Sequence, residues 1–202
     1  MQYAFCGLGG AGAQPYTDGL SYLGDVIELG GLTLPNIESN EMEFPHLTEF
    51  HEFLMDSGGA GKFRGGLGVR YRIHFLGANS SSLVMFGDGK ETPPYGLFGG
   101  KPGSLNLPLI NEGLPTEHEL PAKGNYQLQS GDSYTIYASG GGGWGDPLER
   151  EPGKVKDDVL NEFVSEESAR RDYGVVLDES LAVDLEATKA LRTEMTKGRD
   201  ER

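Results

Sequence analysis

The sequence predicts an α+β chain: a glycine-rich, mainly β region over residues 1–148, then a short helical C-terminal region over residues 149–202 that packs on it or on a partner. Three observations predict this. First, 32 of the 202 residues are glycine, against a usual share of roughly 7%. They follow no strict period and have aliphatic and aromatic residues between them, which fits neither collagen nor low-complexity disorder. Second, the runs between glycines alternate apolar and polar residues, the period of a half-buried strand. Third, the apolar spacing becomes helical from Pro152 onward.

The strand signals come in order. Gly68 to Leu76 alternates large apolar with polar residues, Ser82 to Phe86 is short, apolar and bounded by serines and Gly87, and Tyr134 to Ala138 follows the turn-forming Ser130-Gly131-Asp132. Between Lys90 and Gln129, Pro93, Pro94, Pro102, Pro108, Pro115 and Pro121 exclude a helix. That stretch is expected to be an extended connection across the β framework, packed on a partner.

The helical signals follow. Val155, Val159, Leu160 and Phe163 share one helical face. Ser165 reads as the N-cap of a short helix through Arg171, and the chain leaves it at Gly174 into a strand or extended segment at Tyr173–Leu177. Asp184 caps a last helix carrying Leu185, Thr188, Leu191, Arg192 and Met195, with Lys197, Gly198 and Arg199 suiting its C-terminal end. No internal repeat is present.

The formal net charge is −14 and the isoelectric point about 4.6. Such a surface repels phosphate backbones, which argues against a nucleic-acid partner. Much of the acidity falls in the last third, on what read as solvated helix faces. The single cysteine, Cys6, allows no internal disulfide. No apolar run approaches the ~20 residues of a membrane span, and Met1–Cys6 lacks the basic segment of a secretory signal. The expectation is a cytoplasmic protein with no membrane partner.

Three glycine clusters carry the possible chemistry. Gly7-Leu8-Gly9-Gly10-Ala11-Gly12 has dinucleotide-fingerprint spacing, but Gln14-Pro15 stops the helix that such a site needs and no βαβ unit surrounds it. It reads as a loop for close packing. Asp56 to Gly68 contains Gly61-Lys62, yet the positions a P-loop requires hold Asp56 and Phe63. What remains is a loop of glycine-freed amides with two cations. Asp56, Ser57, Gly58, Gly59, Lys62 and Arg64 form a candidate substrate- or anion-binding set. The other reading of the same loop is an internal Arg64–Asp56 pair. Gly140 to Gly143, anchored by Trp144, reads as a packed backbone crossing. His46, His51, His74 and His118 lack zinc-type spacing; His46, His51 and Glu52 could cluster, but Pro45 and a strand-like context favour ordinary structural roles. No Gly-x-Ser-x-Gly and no Ser–His–Asp set is signposted, so neither a catalytic residue nor a metal ligand is assigned.

These clusters resemble a known family. Asp56 to Gly68 is similar to the D-S-G-G-A-G-x-x-R-G-G-x-G signature of hydantoinase B/oxoprolinase proteins. Pro93 to Gly103 resembles P-P-x-G-x-x-G-G-x-P-G, and Gly140 to Arg150 resembles G-G-G-G-x-G-D-P-x-x-R. Gly10, Gly12-Ala13 and Asp18-Gly19 match the entry to this region, while Val164-Ser165, Ala169-Arg170 and Tyr173–Val176 match its tail. The motifs stand in the family's order and cover nearly the whole chain.

The resemblance implies the C-terminal third of a hydantoinase B-type component, as a natural small subunit or as the tail of a longer protein. It further implies an ATP-dependent, multi-subunit enzyme that hydrolyses a cyclic amide (hydantoin, 5-oxoproline) or carboxylates a ketone (acetone, acetophenone). The implied partners are a hydantoinase A-type subunit, which phosphorylates the lactam or ketone oxygen, and a larger B-type chain. ATP and a divalent metal would be bound by those chains, with none on this one, because the family's metal-binding His and Asp residues lie outside this third. A separate small subunit fits the aryl-ketone carboxylase branch. Two other expectations stand beside this: a non-catalytic structural subunit that completes the fold of a larger B-type chain, and a free-standing anion-binding module using Lys62 and Arg64.

Overall fold

The computed structural model describes residues 8–23 and 36–200, with side chains to residue 198. Cys6, Gly7 of the first glycine cluster, the opening Met1–Cys6 and the Arg199 side chain lie outside the described residues.

The elements in chain order are α1 (Ile37–Glu43), β1 (His46–Phe53), β2 (Val69–Phe75), β3 (Ser81–Phe86), β4 (Leu107–Ile110), β5 (His118–Glu119), β6 (Lys123–Leu128), β7 (Ser133–Tyr137), a 3-10 turn (Pro147–Glu149), α2 (Pro152–Leu160), α3 (Glu166–Tyr173) and α4 (Leu185–Asp200). The α+β expectation is borne out. Five strands form an antiparallel sheet in the order β1-β2-β7-β4-β5, and β3 pairs with β6 in a second sheet.

β2 shows why the sheet sits where it does. Val69, Tyr71, Ile73 and Phe75 are buried and alternate with half-buried Arg70, Arg72 and His74, because successive strand residues face opposite sides. Each buried side chain contributes roughly 1.5–3 kcal/mol by leaving water. Around them pack Ile110, Leu120, Leu128, Tyr134, Ile136 and Ala138, with Leu83, Met85 and Tyr126 of the small sheet against that core. A second core joins Ala60 to Val155, Val164, Ala169, Tyr173 and Val175.

The helical region follows its caps. The Ser165 side chain accepts from Ser168 N, and α3 ends at Gly174, whose φ of 61° is the left-handed conformation glycine tolerates best. Asp184 Oδ1 accepts from Ala187 N at 2.9 Å to start α4. Two differences from the sequence reading stand out. The proline-rich stretch holds β4, β5 and β6 rather than being a plain connection; Pro108 sits in β4 opposite Ile136, where its missing donor hides the strand. The seven-residue α1 buries no residue and so carries no apolar stripe to announce it.

The glycine clusters meet in a bundle of extended segments outside both sheets. In Gly140–Gly143 the neighbour changes at every residue. Gly140 and Gly143 lie against Ser57–Ala60, Gly141 against Ala11–Gly12, and Gly142 against Tyr95–Gly96. A return to the same neighbour after three residues is the period of a polyproline-II-type helix. Gly100 and Gly103 repeat it from the other side, facing Gly143 and Gly140. Backbone bonds tie the segments: Gly59 N to Gly141 O at 2.8 Å, Gly141 N to Gly66 O at 2.9 Å, and Gly143 N to Lys101 O at 2.9 Å. A Cβ on Gly141 would stand 1.9 Å from Ala11 O, so backbone replaces side chains as the packing material.

Candidate functional site

The bundle turns on four charged side chains drawn from far apart in the chain. Arg150, 2% exposed, donates to both carboxylate oxygens of Asp18 at 2.7 and 2.8 Å, a two-pronged pairing that suits the planar guanidinium. Its Nε and Nη2 reach Asp158 Oδ2 at 3.1 and 2.8 Å, and Nη1 donates to Lys62 O at 3.2 Å. Arg64, 5% exposed, meets the other Asp158 oxygen through Nε at 3.3 Å. Its Nη1 donates to Gly65 O at 2.7 Å, its guanidinium lies 5.2 Å from the Phe163 ring centre, and its backbone N–H donates to Asp18 Oδ1 at 2.7 Å. Two arginines and two aspartates thus alternate with no formal net charge.

The electrostatics fit that arrangement. Burial would raise the Asp18 carboxyl, but the bonds and charge of Arg150 and the Arg64 amide outweigh it and hold Asp18 below 3.8. Burial works against the charged form of Arg150 too, yet Asp18 and Asp158 raise its pKa further above the ordinary arginine value. Beside the network, burial pushes the Tyr173 hydroxyl upward, and that oxygen has no hydrogen-bond partner among the described residues.

The six residues singled out in the sequence share one loop, but their side chains diverge. Asp56 Oδ1 accepts from Ser165 N at 2.9 Å at the start of α3. The Arg64–Asp56 pair does not form: the left-handed backbone of Asp56, φ 60°, turns its carboxylate to that helix, and Arg64 takes Asp158 instead. Ser57 Oγ donates to Leu54 O and accepts from Gly68 N. Lys62 reaches outward to Glu149 at 3.0 Å. The amides of Gly59, Gly65 and Gly66 are bonded to the carbonyls of Gly141, Gly59 and Ala11, and Gly58 lies against Gly65 O. Arg150 and Asp158 were not singled out from the sequence. The available signals were the arginine closing the third glycine motif and a polar residue on the inner face of α2.

The histidines stay apart. His51 packs edge-on against Tyr22 and Tyr71, and His46 against Phe44 and Phe75; burial lowers both pKa values. Glu52 pairs instead with Arg70. His74 bonds Glu49 at 2.7 Å on the solvent face of the sheet, where Arg72 also joins Glu49 and Glu112, and exposed His118 meets Thr116 O at 3.1 Å. Among the described residues no three His, Cys, Asp or Glu side chains are placed to hold a metal ion, and no helix is long and apolar enough to cross a membrane. An open groove of about 530 Å³, lined by Asp146, Leu148, Glu149, Leu185, Lys189 and Arg192 among others, separates α4 from the 3-10 turn.

The model of the hydantoinase B/oxoprolinase family matches residues 1–147. The chain belongs to the hydantoinase B/oxoprolinase family. It is 36% identical to caprolactamase subunit beta of Pseudomonas jessenii over 189 residues, which is 92% of this chain and 32% of that protein. Its fold matches nucleotide-free acetone carboxylase with a TM-score of 0.83 at 26% identity, over 98% of this chain and 30% of that one. It matches the ATP-dependent caprolactamase from Pseudomonas jessenii with a TM-score of 0.76 at 33% identity, over 93% of this chain and 33% of that one. The chain spans no more than about a third of the length of the curated relatives it matches.

Proposed function

We propose that this chain works as part of the hydantoinase B-type component of an ATP-dependent enzyme that hydrolyses a cyclic amide or carboxylates a ketone. The observation that supports this reading is the near-complete match of the chain to one part each of an ATP-dependent caprolactamase and an acetone carboxylase. In this reading a hydantoinase A-type partner phosphorylates the lactam or ketone oxygen, and the B-type component completes the hydrolysis or carboxylation. ATP and a divalent metal are held by the other parts of that enzyme.

The contribution of this chain is positional. The glycine bundle sets its backbone segments at fixed spacing, and the Asp18–Arg150–Asp158–Arg64 network ties 18, 64, 150 and 158 together at its side. The Asp56–Arg64 loop belongs to that fastening: its charged groups and the Gly59 amide have partners within the chain, as do the Gly65 and Gly66 amides that follow.

The test is purification of the chain in its native complex, followed by assay of hydantoin, 5-oxoproline, caprolactam, acetone and acetophenone with ATP and magnesium. The complex is expected to consume one of them in step with ATP, and the pure chain none. Turnover by the pure chain, or a native complex without A-type and B-type sequence, would overturn the proposal.

A further inference from the structure

The surfaces of the molecule differ in kind. The outer face of the large sheet is closed by ion pairs of Arg70 and Arg72 with Glu49, Glu52 and Glu112, and α3 shows water Glu166, Glu167, Arg170 and Arg171. The end of the glycine bundle beyond Gly142 is aromatic. Tyr16 is 90% exposed, Tyr95 78%, Phe98 77% and Leu97 46%.

The backbone gathers these residues. Ala13 N donates to Gly142 O at 2.8 Å, which brings the Gln14–Thr17 turn and Tyr16 to this end. Tyr95 O lies 1.9 Å from the place of a Gly142 Cβ. Leu97 N donates to Gly143 O at 2.9 Å. The Phe98 ring stands 5.5 Å from Trp144, which stands 5.9 Å from Phe63. Phe98 also holds a φ of 52°, a conformation that bulky side chains rarely adopt. A strained, exposed phenylalanine adds little to this fold by itself. Strain of this kind is kept where function repays it, and exposed apolar side chains gathered at one end of a bundle mark an interface; Met42 and Phe86 are exposed elsewhere on the molecule as well.

We propose that this aromatic end is the docking surface for the remaining two thirds of a hydantoinase B-type component. The occupant follows from length. The relatives contain this fold as about a third of a single chain, so two thirds of a B-type chain must find a surface beside it, and three exposed aromatic rings offer better packing than the ion-paired face of the large sheet. The inference rests on the proposed membership in a B-type component. A second copy of this chain, or the A-type partner, would be a different occupant.

The test keeps the native complex intact. Tyr16, Tyr95 and Phe98 are replaced one at a time by a photoreactive benzoylphenylalanine, with exposed Asn125 and Glu167 as control positions, and the cross-linked peptides are sequenced by mass spectrometry. The expected result is linkage from all three aromatic positions to B-type sequence outside these 202 residues, and none from the controls. Linkage from the aromatic end to a second copy or to A-type sequence overturns the docking surface, as does B-type linkage from the controls alone. Absence of B-type linkage from every position overturns it together with the proposed function. A Tyr16→Ser/Tyr95→Ser/Phe98→Ser variant should recover roughly tenfold less B-type sequence in the complex, with a melting temperature within about 2 °C of the parent chain. Should that variant fail to fold, Phe98→Gly, which removes the ring and relieves the backbone, should still lower recovery. Unchanged recovery in a folded variant counts against the proposal.

Discussion

Arg150 keeps a full charge where 2% of its surface reaches water. Removing an ion from water is costly, and only good geometry with several bonds offsets it; here two carboxylates and a carbonyl supply the partners. Arg64 shares Asp158 with it, so losing either arginine leaves that buried aspartate with one cation instead of two. Arg64→Lys keeps the charge but loses the fork that reaches Asp158 and Gly65 O together. It is expected to lower the melting temperature of the assembled enzyme while turnover per folded complex stays near normal; a tenfold loss of turnover at unchanged melting would assign Arg64 to substrate instead. Arg150→Ala leaves Asp18 with the Arg64 amide alone and Asp158 with Arg64 alone, and should destabilise by about 3–5 kcal/mol in urea unfolding. The pH dependence has a definite sign. Asp18 is held below its ordinary 3.8, so its contribution is full above about pH 3.8 and is lost as pH falls through the lower folded value. The stability gap between the parent chain and Asp18→Asn, followed by thermal melting, should therefore stay constant from pH 6 down to about pH 4 and narrow only below that. None of this network could be read from the sequence as a network, because Asp18 and Arg150 stand 132 residues apart and no periodic pattern links them.

Among the elements, legibility followed pattern strength. β2 was plain because four buried and three half-buried residues alternate, and α3 because Ser165 and Gly174 bracket it. β4 was hidden by Pro108 and by its four-residue length, and α1 by having nothing to bury. The glycine clusters were visible as close packing, but their shared bundle was not, since the three-residue rotation of contacts exists only once the segments meet. That rotation makes a sharp prediction. Gly141→Ala places a methyl 1.9 Å from Ala11 O and 2.6 Å from Gly12 N. Both are backbone atoms that cannot step aside, so this variant should fail to give soluble folded protein. Gly198→Ala, in α4 with nothing within 4 Å of the added carbon, should stabilise by about 0.5–1 kcal/mol. A folded, near-parental Gly141→Ala in a thermal melt would show that the bundle yields.

The whole molecule has two apolar cores, one under the sheet and one among α2 and α3, with a side-chain-poor bundle running from one toward the other: Gly68 leads into β2, Ala138 leaves β7, and Ala60 of the bundle sits in the helical core. The bundle repeats its contacts every three residues, the period of the polyproline-II helix that unfolded chains also favour, yet the amides of Gly59, Gly66, Gly141 and Gly143 are hydrogen-bonded. The two properties pull spectroscopic readouts apart. Far-ultraviolet circular dichroism of the native protein should report more unordered backbone than a folded chain of this size warrants. Deuterium uptake at Gly59, Gly66, Gly141 and Gly143 should be as slow as in β2, because opening any one of them requires parting several segments at once. A spectrum taken alone would describe as loose the part of this protein that has the least room to move.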